Sequence, residues 1–413
     1  MENKLKIWLI TIGEHLPLAP STPKQRTNIL AEKLVGRGHD VIWWTSAFNH
    51  YRKRWFFLMD TTLTVNGTTI KALKGTGYNK NISLRRFLDH KIIAWKFKRF
   101  AERMPVPDII ITATPPHDLA YAVTRFSRRH NIPVIVDIRD EWPDLFLKFV
   151  PKRFIRLLKI LLIHDFYMLR KTLVMAAGLV AMMDSLLEWG LTYAGRQKST
   201  KDRVFYLGDF HRTQPLDWGQ NDPFQKNLNK KFVVTFIGTF VQNNDPSIMI
   251  ESAIKLADYP IYFVLAGDGE LSCSLKNASA GLSNVLMPGW LNKDEMTFLL
   301  RHSKIGVCPT TQYREAFPNK AFSYLSAGIP FITSFQGEIK NIIEKYKIGY
   351  YYPPHDIDAF TSYILKLYQT PSLYQEMAEN AKNIFNKMFD ADKIYDDYAK
   401  YIEMIAENKA TFP

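Results

Sequence analysis

Apolar positions in the first half of the chain fall in short, β-branched runs at 7–12, 41–45, 109–112 and 134–136, each bounded by turn-forming residues. Runs that are apolar without alternation are the pattern of strands covered on both faces, as in a parallel sheet. Between the first two lies a stretch with helical spacing, 24–35, stopped by Gly36 and Gly38. Strand–helix–strand alternation predicts an α/β, doubly wound domain. The rhythm breaks at 208–230, where Pro215, Gly219 and Pro223 stand among Asp, Asn and Gln, the composition of a linker. It then resumes with strands expected at 232–237, 261–266, 305–308 and 331–333, and helices at 246–256, 293–302 and 318–326. A helical tail follows. The expected organisation is a first domain at 1–207, a linker at 208–230, a second domain at 231–371 and helices at 372–413 that cross back to the first domain.

Size agrees with two cores, since 413 residues exceed what one hydrophobic core usually serves. The cysteines, Cys273 and Cys308, have neither a CxxC spacing nor a neighbouring His; this points to a reducing compartment and away from a thiolate metal site. Only seven residues separate Lys6 from Glu14, too few for a signal-peptide core and cleavage site, so this run reads as a buried first strand. The uncharged run at 172–183 is short of the roughly 20 residues a membrane span needs. A cytoplasmic protein is expected.

Charge adds something the hydrophobic pattern does not show. The net charge is +14, but residues 1–200 carry 32 Lys and Arg against 16 Asp and Glu, whereas 201–413 carry 22 against 24. The asymmetry predicts an anionic partner for the first half: anionic lipid, a phosphorylated acceptor or nucleic acid. No nucleic-acid module signature appears and the aromatics are not spaced as a stacking platform, so nucleic acid is not expected. Wound as one helix, 152–173 places Phe154, Leu157, Leu158, Leu161, Leu162, Met168 and Leu169 on one side. Arg153, Arg156, Lys159, Arg170 and Lys171 fall on the other. This is either a surface helix lying on the sheet or a shallow membrane contact. Residues 80–103 hold eight basic residues against two acidic, without a clean two-faced arrangement.

Candidate chemistry concentrates at 314–330. Glu315 follows an apolar strand, and Pro318 opens a helix stopped by Gly328 and Pro330. A helix start presents unpartnered N–H groups and a positive dipole. It can hold a diphosphate while the carboxylate meets hydroxyls beyond it. The plainer reading of Glu315 is a capping charge worth a few tenths to about 1 kcal/mol. Lys320 and Arg314 flank the helix start as possible diphosphate cations, or as solvated side chains. Gly267, Asp268 and Gly269 follow a buried strand, where glycines permit close backbone approach or simply make a tight turn. In the first half, Asp137, Arg139, Asp140, Glu141, Trp142 and Asp144 crowd the end of the strand at 134–136. Some of these charges are expected to pair internally and shape the loop. His117 ends the preceding strand.

The stretch 314–330 resembles the donor-site signature of glycosyltransferase family four, retaining enzymes of the GT-B fold. Glu315 fills the first acidic position of that signature, and Ser323 stands where its second Glu belongs. The turn at Gly238 and Thr239, the loop at Gly267, Asp268 and Gly269, and the segment ending in Gly289 and Trp290 match the family's donor-site segments in order. The resemblance implies that these residues, with Pro318, Asn319, Lys320 and Ser323, bind a nucleotide sugar, Trp290 and Gly289 lying toward the base. Where the family places an Arg and a Lys after the glycine turn, this chain has Val241, Gln242, Asn243 and Asn244. The loop at 137–144 resembles the branch that builds bacterial O-antigen and capsule. There Arg139 aligns with a donor-sugar His, so the resemblance implies that Arg139 or Asp140 acts with Glu315 in catalysis. Arg26, His117 and Trp142 are implied on the acceptor side. Two facing Rossmann-like domains with a crossing C-terminal helix are implied, with no metal and no cofactor beyond the donor. A polyprenyl-diphosphate-linked acceptor and the inner face of the membrane are the implied partners. A sugar-nucleotide epimerase of the same fold and a weakened scaffold relative stay open as alternatives.

Overall fold

The computed structural model describes residues 4–19, 22–148, 150–211, 228 and 231–407. The chain divides into one unit of Met1–Tyr206 with Lys393–Pro413 and a second of Leu207–Asp392. Of the expected linker only 208–211 and 228 are described; the remainder lies outside the described residues.

The first unit is built on β1 (Lys6–Ile10), β2 (Asp40–Ser46), β3 (Phe48–Asn49), β4 (Arg54–Trp55), β5 (Thr61–Val65), β6 (Thr68–Leu73), β7 (Ile109–Thr114), β8 (Val134–Ile138), β9 (Gly178–Ala181) and β10 (Arg203–Val204). Eight of these form one sheet in the order β10-β9-β8-β7-β1-β2-β6-β5, and β3 pairs with β4 alone. Every pairing in the large sheet is parallel except β5 with β6. All residues of β7 and β8 are buried, as their unbroken apolar character predicts. The core stacks Trp8 on Phe126, with ring centroids 5.6 Å apart, and tilts Trp44 against Trp8 at 5.3 Å. The β5–β6 hairpin was not anticipated, although Asn66-Gly67 between two Thr-rich runs is a strong hairpin signal.

The basic tract at 80–103 is largely the helix Leu84–Ala101, capped by the Ser83 hydroxyl and burying Ile93, Ala94, Phe97 and Ala101. The single helix expected at 152–173 is instead broken. A 3-10 turn at Lys152–Phe154 leads into the helix Ile155–Leu161, and Ile163–Val174 forms another. Leu162, with φ −96° and ψ 9°, is the break. The second helix buries Met168, Leu169, Thr172 and Leu173, with Leu169 and Leu173 in the core beside β8 and β9, whereas the first buries nothing.

The second unit carries β11 (Phe232–Ile237), β12 (Ile261–Ala266), β13 (Val285–Gly289), β14 (Ser303–Cys308), β15 (Phe331–Thr333) and β16 (Gly349–Tyr351). They form an all-parallel sheet in the order β13-β12-β11-β14-β15-β16. The order reverses at β11, the switch point where ligands collect beyond the strands' carboxyl ends. The helix Pro371–Ile384 stays with this unit, Met377 joining its core. Only the final helix, Ala391–Glu407, belongs to the first unit for most of its length. There Glu403 takes both Arg37, at 2.6 and 2.8 Å, and His39, at 2.8 Å.

Candidate functional site

Two glycine turns and one helix start meet at the carboxyl ends of β11 and β12. Gly238 N–H donates to the Ala266 carbonyl at 2.9 Å, Phe240 N–H to that of Asp268 at 2.9 Å, and Gly267 N–H to that of Gly289 at 2.8 Å. The loops are packed so closely that a Cβ on Gly267 would lie 1.8 Å from the Gly238 carbonyl oxygen. The position also has φ +147°, so both space and conformation call for glycine. Asp268 caps its own loop, accepting from Gly269 N–H and the Ser272 hydroxyl, which hold its carboxyl below the usual range. It is exposed, as are Thr239 and Trp290, the latter by 61%.

The helix Asn319–Ser326 begins at Pro318, whose side chain gives it no cap, and no acidic residue stands in its first turn. Lys320 lies in that first turn. Its Nζ sits 3.7 Å from the centre of the Phe236 ring, and a Cβ on Gly238 would lie 3.5 Å from it. Among the described residues it has no ion pair and no hydrogen bond. Burial lowers its pKa to about 8, offset only slightly by the neighbouring Cys308, whose thiol is itself pushed up to about 12. An ammonium held this way is short of an anion. The residue keeps partial exposure, so a ligand can reach it.

Glu315 is exposed in the loop before this helix, its backbone bridged to Gln336. Arg314 is exposed beside it. Ser323, one turn beyond Lys320, donates its hydroxyl to Oδ2 of Asp209 at 2.7 Å. The other Asp209 oxygen accepts from Phe210 N–H at 2.8 Å. Backbone bonds to Phe389 (3.1 Å) and from Ala391 (2.9 Å) fix the segment. A carboxylate therefore stands at position 323 after all, delivered from 114 residues upstream.

In the first unit the expected ligand-facing arginines are committed elsewhere. Arg26 is 3% exposed and its guanidinium bonds both oxygens of Asp137, at 2.9 and 3.2 Å, and the Phe205 carbonyl at 2.7 Å. It also lies over the Tyr398 ring. Arg139 pairs with Asp137 at 3.0 Å and with Glu14, and donates to the Thr27 hydroxyl at 3.0 Å. Burial alone would raise the Asp137 carboxyl, but Arg26 and Arg139 outweigh it and hold it below the usual range. A buried and a half-buried cation and two buried carboxylates thus satisfy one another. The acceptor role expected of Arg26 and the catalytic role expected of Arg139 give way to a structural one, because their donors are spent on Asp137 and Glu14. Asp140 accepts from Glu141 N–H at 2.9 Å and contributes to the field at Arg86. His117 is 3% exposed, its Nδ1 paired with the Thr114 hydroxyl at 3.1 Å. Burial pulls its pKa down to about 4, the Trp142 backbone offsetting only part. Trp142 is 8% exposed, with the Arg86 guanidinium 4.7 Å above its ring and Phe146 at 4.6 Å. These two therefore line the strand ends from within, and their access to a ligand is limited.

Residues 220–384 match the family model described as glycosyl transferases group 1. Curated relatives agree in kind. The chain is 26% identical over 176 residues to an O-antigen chain mannosyltransferase C of Escherichia coli, covering 42% of this chain and 47% of that one. It is 27% identical over 198 residues to the D-rhamnosyltransferase WbpZ of Pseudomonas aeruginosa, covering 48% and 51%. The chain thus matches about half the length of these relatives. Among solved structures, HepE of Anabaena in complex with UDP superposes with a TM-score of 0.67 at 14% identity, over 97% of this chain and all of that one. The fold is GT-B: two Rossmann-like domains on parallel sheets.

Within the second unit, sequence reasoning missed Asp209, because its contact with Ser323 joins distant segments that no local pattern connects. Outside it, a second group went unnoticed at the ends of β2, β7 and β8. His50 bonds the Tyr78 hydroxyl at 2.7 Å, and Arg86 lies over the Tyr78 and Trp142 rings. Burial lowers His50 to about 4 and His90 to about 3, with Arg86 adding to both. The Asn49-His50 run just past an apolar strand was the available signal. Among the described residues no group of three or more His, Cys, Asp or Glu is arranged to hold a metal ion.

Proposed function

We propose that this chain is a retaining glycosyltransferase that moves a sugar from a nucleotide sugar to a hydroxyl of a polyprenyl-diphosphate-linked glycan, in O-antigen or capsule synthesis at the inner face of a membrane. The observation that carries the donor half is Lys320: a cation lowered to about 8, without a counter-ion among the described residues, at an uncapped helix start beside the Gly238 turn. A diphosphate there supplies the missing negative charge, and helix amides receive its oxygens. As the bond from the anomeric carbon to the diphosphate breaks, charge grows on the departing oxygen, where a cation in a poorly hydrated site is most effective. The acceptor oxygen bonds to that carbon on the same face, and its proton passes to the leaving diphosphate. Glu315 holds sugar hydroxyls. Asp209, oriented by Ser323, takes the ribose-hydroxyl role that the family resemblance assigns to a Glu at that position. The other donor-side residues, Gly238, Thr239, Gly267, Asp268, Gly269, Gly289, Trp290, Pro318 and Asn319, line the nucleotide. On the acceptor side His117, Trp142 and Asp140 shape the floor.

Two relatives are named for mannose and for D-rhamnose, which is 6-deoxymannose, so donors of manno configuration come first in a test. Purified protein is titrated with labelled nucleotide sugars of manno and gluco configuration, then supplied with a polyprenyl-diphosphate glycan. The expected result is saturable donor binding, and nucleoside diphosphate release that accelerates with acceptor, with the anomeric configuration kept. Folded protein that binds none of the nucleotide sugars removes the donor assignment. Interconversion of the sugar epimers without acceptor would make it an epimerase.

A further inference from the structure

The helix Ile155–Leu161 breaks the usual relation between composition and burial. Its seven residues, Ile-Arg-Leu-Leu-Lys-Ile-Leu, include five aliphatics, yet none is buried. Leu157, Ile160 and Leu161 are 56, 66 and 69% exposed, and Ile163 just past the kink is 67% exposed. A single exposed leucine is ordinary; a contiguous aliphatic run is not, and it marks a contact surface. Positions 157, 160 and 161 share one helix face. The helix Ile163–Val174 is anchored by Leu169 and Leu173, both fully buried, so the kink at Leu162 leaves the preceding helix standing off an anchored base.

Charge identifies the occupant. Between 148 and 171 the sequence holds seven Lys and Arg against Asp165 alone. Four of the cations, Lys152, Arg153, Arg156 and Lys159, are interleaved with the exposed aliphatics and are themselves exposed. The centres of protein–protein interfaces are depleted of charge, of Lys above all, and four cations among these aliphatics fit that poorly. Aliphatics flanked by long cationic side chains are what a helix lying in a bilayer interface presents: the apolar face enters the acyl boundary while the cations snorkel to headgroups. The excess of positive charge selects anionic lipid.

We infer that Ile155–Leu161 inserts its Leu157, Ile160 and Leu161 face into one leaflet of an anionic bilayer. The segment begins thirteen residues after Trp142, so lipid would lie near the strand ends to which the acceptor is assigned above. The insertion itself does not depend on that assignment. The test is co-sedimentation with vesicles of phosphatidylglycerol and phosphatidylethanolamine, against phosphatidylcholine vesicles. It compares the parent, the triple variant Leu157→Ser, Ile160→Ser, Leu161→Ser, and the triple variant Arg153→Ser, Arg156→Ser, Lys159→Ser. Nucleotide-sugar binding is measured on the same samples, so that failure of the donor reading and failure of insertion are told apart.

The parent should bind anionic vesicles and keep part of that binding in 1 M salt, where the Debye length is about 3 Å and charge attraction alone is lost. The aliphatic variant should lose at least tenfold in vesicle affinity with unchanged nucleotide binding. The charge variant should lose the preference for anionic over neutral lipid. Parent-like vesicle binding by the aliphatic variant, or complete release of the parent by salt, overturns insertion. A parent that self-associates without lipid, and that the aliphatic variant renders monomeric, assigns the face to a second copy of the chain instead.

Discussion

The two units handle positive charge drawn away from water in opposite ways. In the first, Arg26 and Arg139 face Asp137 and Glu14, and each cation has its carboxylate within bonding distance. In the second, Lys320 sits over the Phe236 ring with no ion pair among the described residues. Taking a charge out of water is costly unless it is paired. The first arrangement is complete as it stands, and its Arg and Asp residues read as structure. The second is complete only when something anionic arrives, so it reads as a site. Identity of residue does not separate these cases; the presence or absence of a partner does.

The largest expected effect comes from unbalancing the complete network. Asp137→Asn leaves the buried Arg26 without a carboxylate and the half-buried Arg139 with Glu14 alone, and should cost about 3–5 kcal/mol in chemical denaturation. A loss below about 1 kcal/mol would mean the network is not a stabilising unit. The same network sets an acid limit. Asp137 is held below its ordinary value in the folded state, so its contribution is present above about pH 4, the unfolded range, and is lost as pH falls through the folded value. The parent should therefore lose stability in acid more steeply than Asp137→Asn does.

Glu315→Gln tests the incomplete side. The residue is exposed, so the thermal midpoint should stay put while turnover falls on the order of a hundredfold, as for a contact that strengthens at the transition state. Turnover within a factor of two of the parent would remove Glu315 from the site. A smaller effect is expected at the imported carboxylate. Asp209→Asn should weaken nucleotide-sugar binding about tenfold, the scale of a hydrogen bond to a charged group. Ser323→Glu should also weaken it, because the new carboxylate would face Asp209, now 2.7 Å from the serine hydroxyl. Tighter binding by Ser323→Glu would show that Asp209 does not serve the nucleotide.

Much of the fold was legible. The strand at Phe232–Ile237 and the helix at Lys293–His302 fall where unbroken β-branched runs and capped helical spacing put them, because both signals are local. The donor-side turns were legible for the same reason: Gly238 and Gly267 mark places where backbone meets backbone. What was not legible is pairing. Arg26 and Arg139 looked like ligand cations until Asp137 and Glu14 appeared beside them, and Ser323 looked like a loss until Asp209 did. The helix expected across 152–173 failed for a related reason. Its periodicity was real, but only the part around Leu169 has a core to cover, and the chain turns at Leu162 where that core ends.

The most direct test of Lys320 as a site waiting for an anion is Lys320→Met, followed by stability and nucleotide affinity on one preparation. Its folded pKa of about 8 lies below the unfolded value of 10.5, so the charged lysine opposes folding below pH 8. Parent stability should rise as pH climbs from 8 toward 10.5, and Met should remove that rise. At pH 7 the variant should be as stable as the parent or more so. Its nucleotide-sugar affinity should fall at least tenfold and no longer weaken as pH passes 8. A variant less stable than the parent but with parental affinity at every pH would contradict the account, and would make Lys320 part of the packing instead of the site.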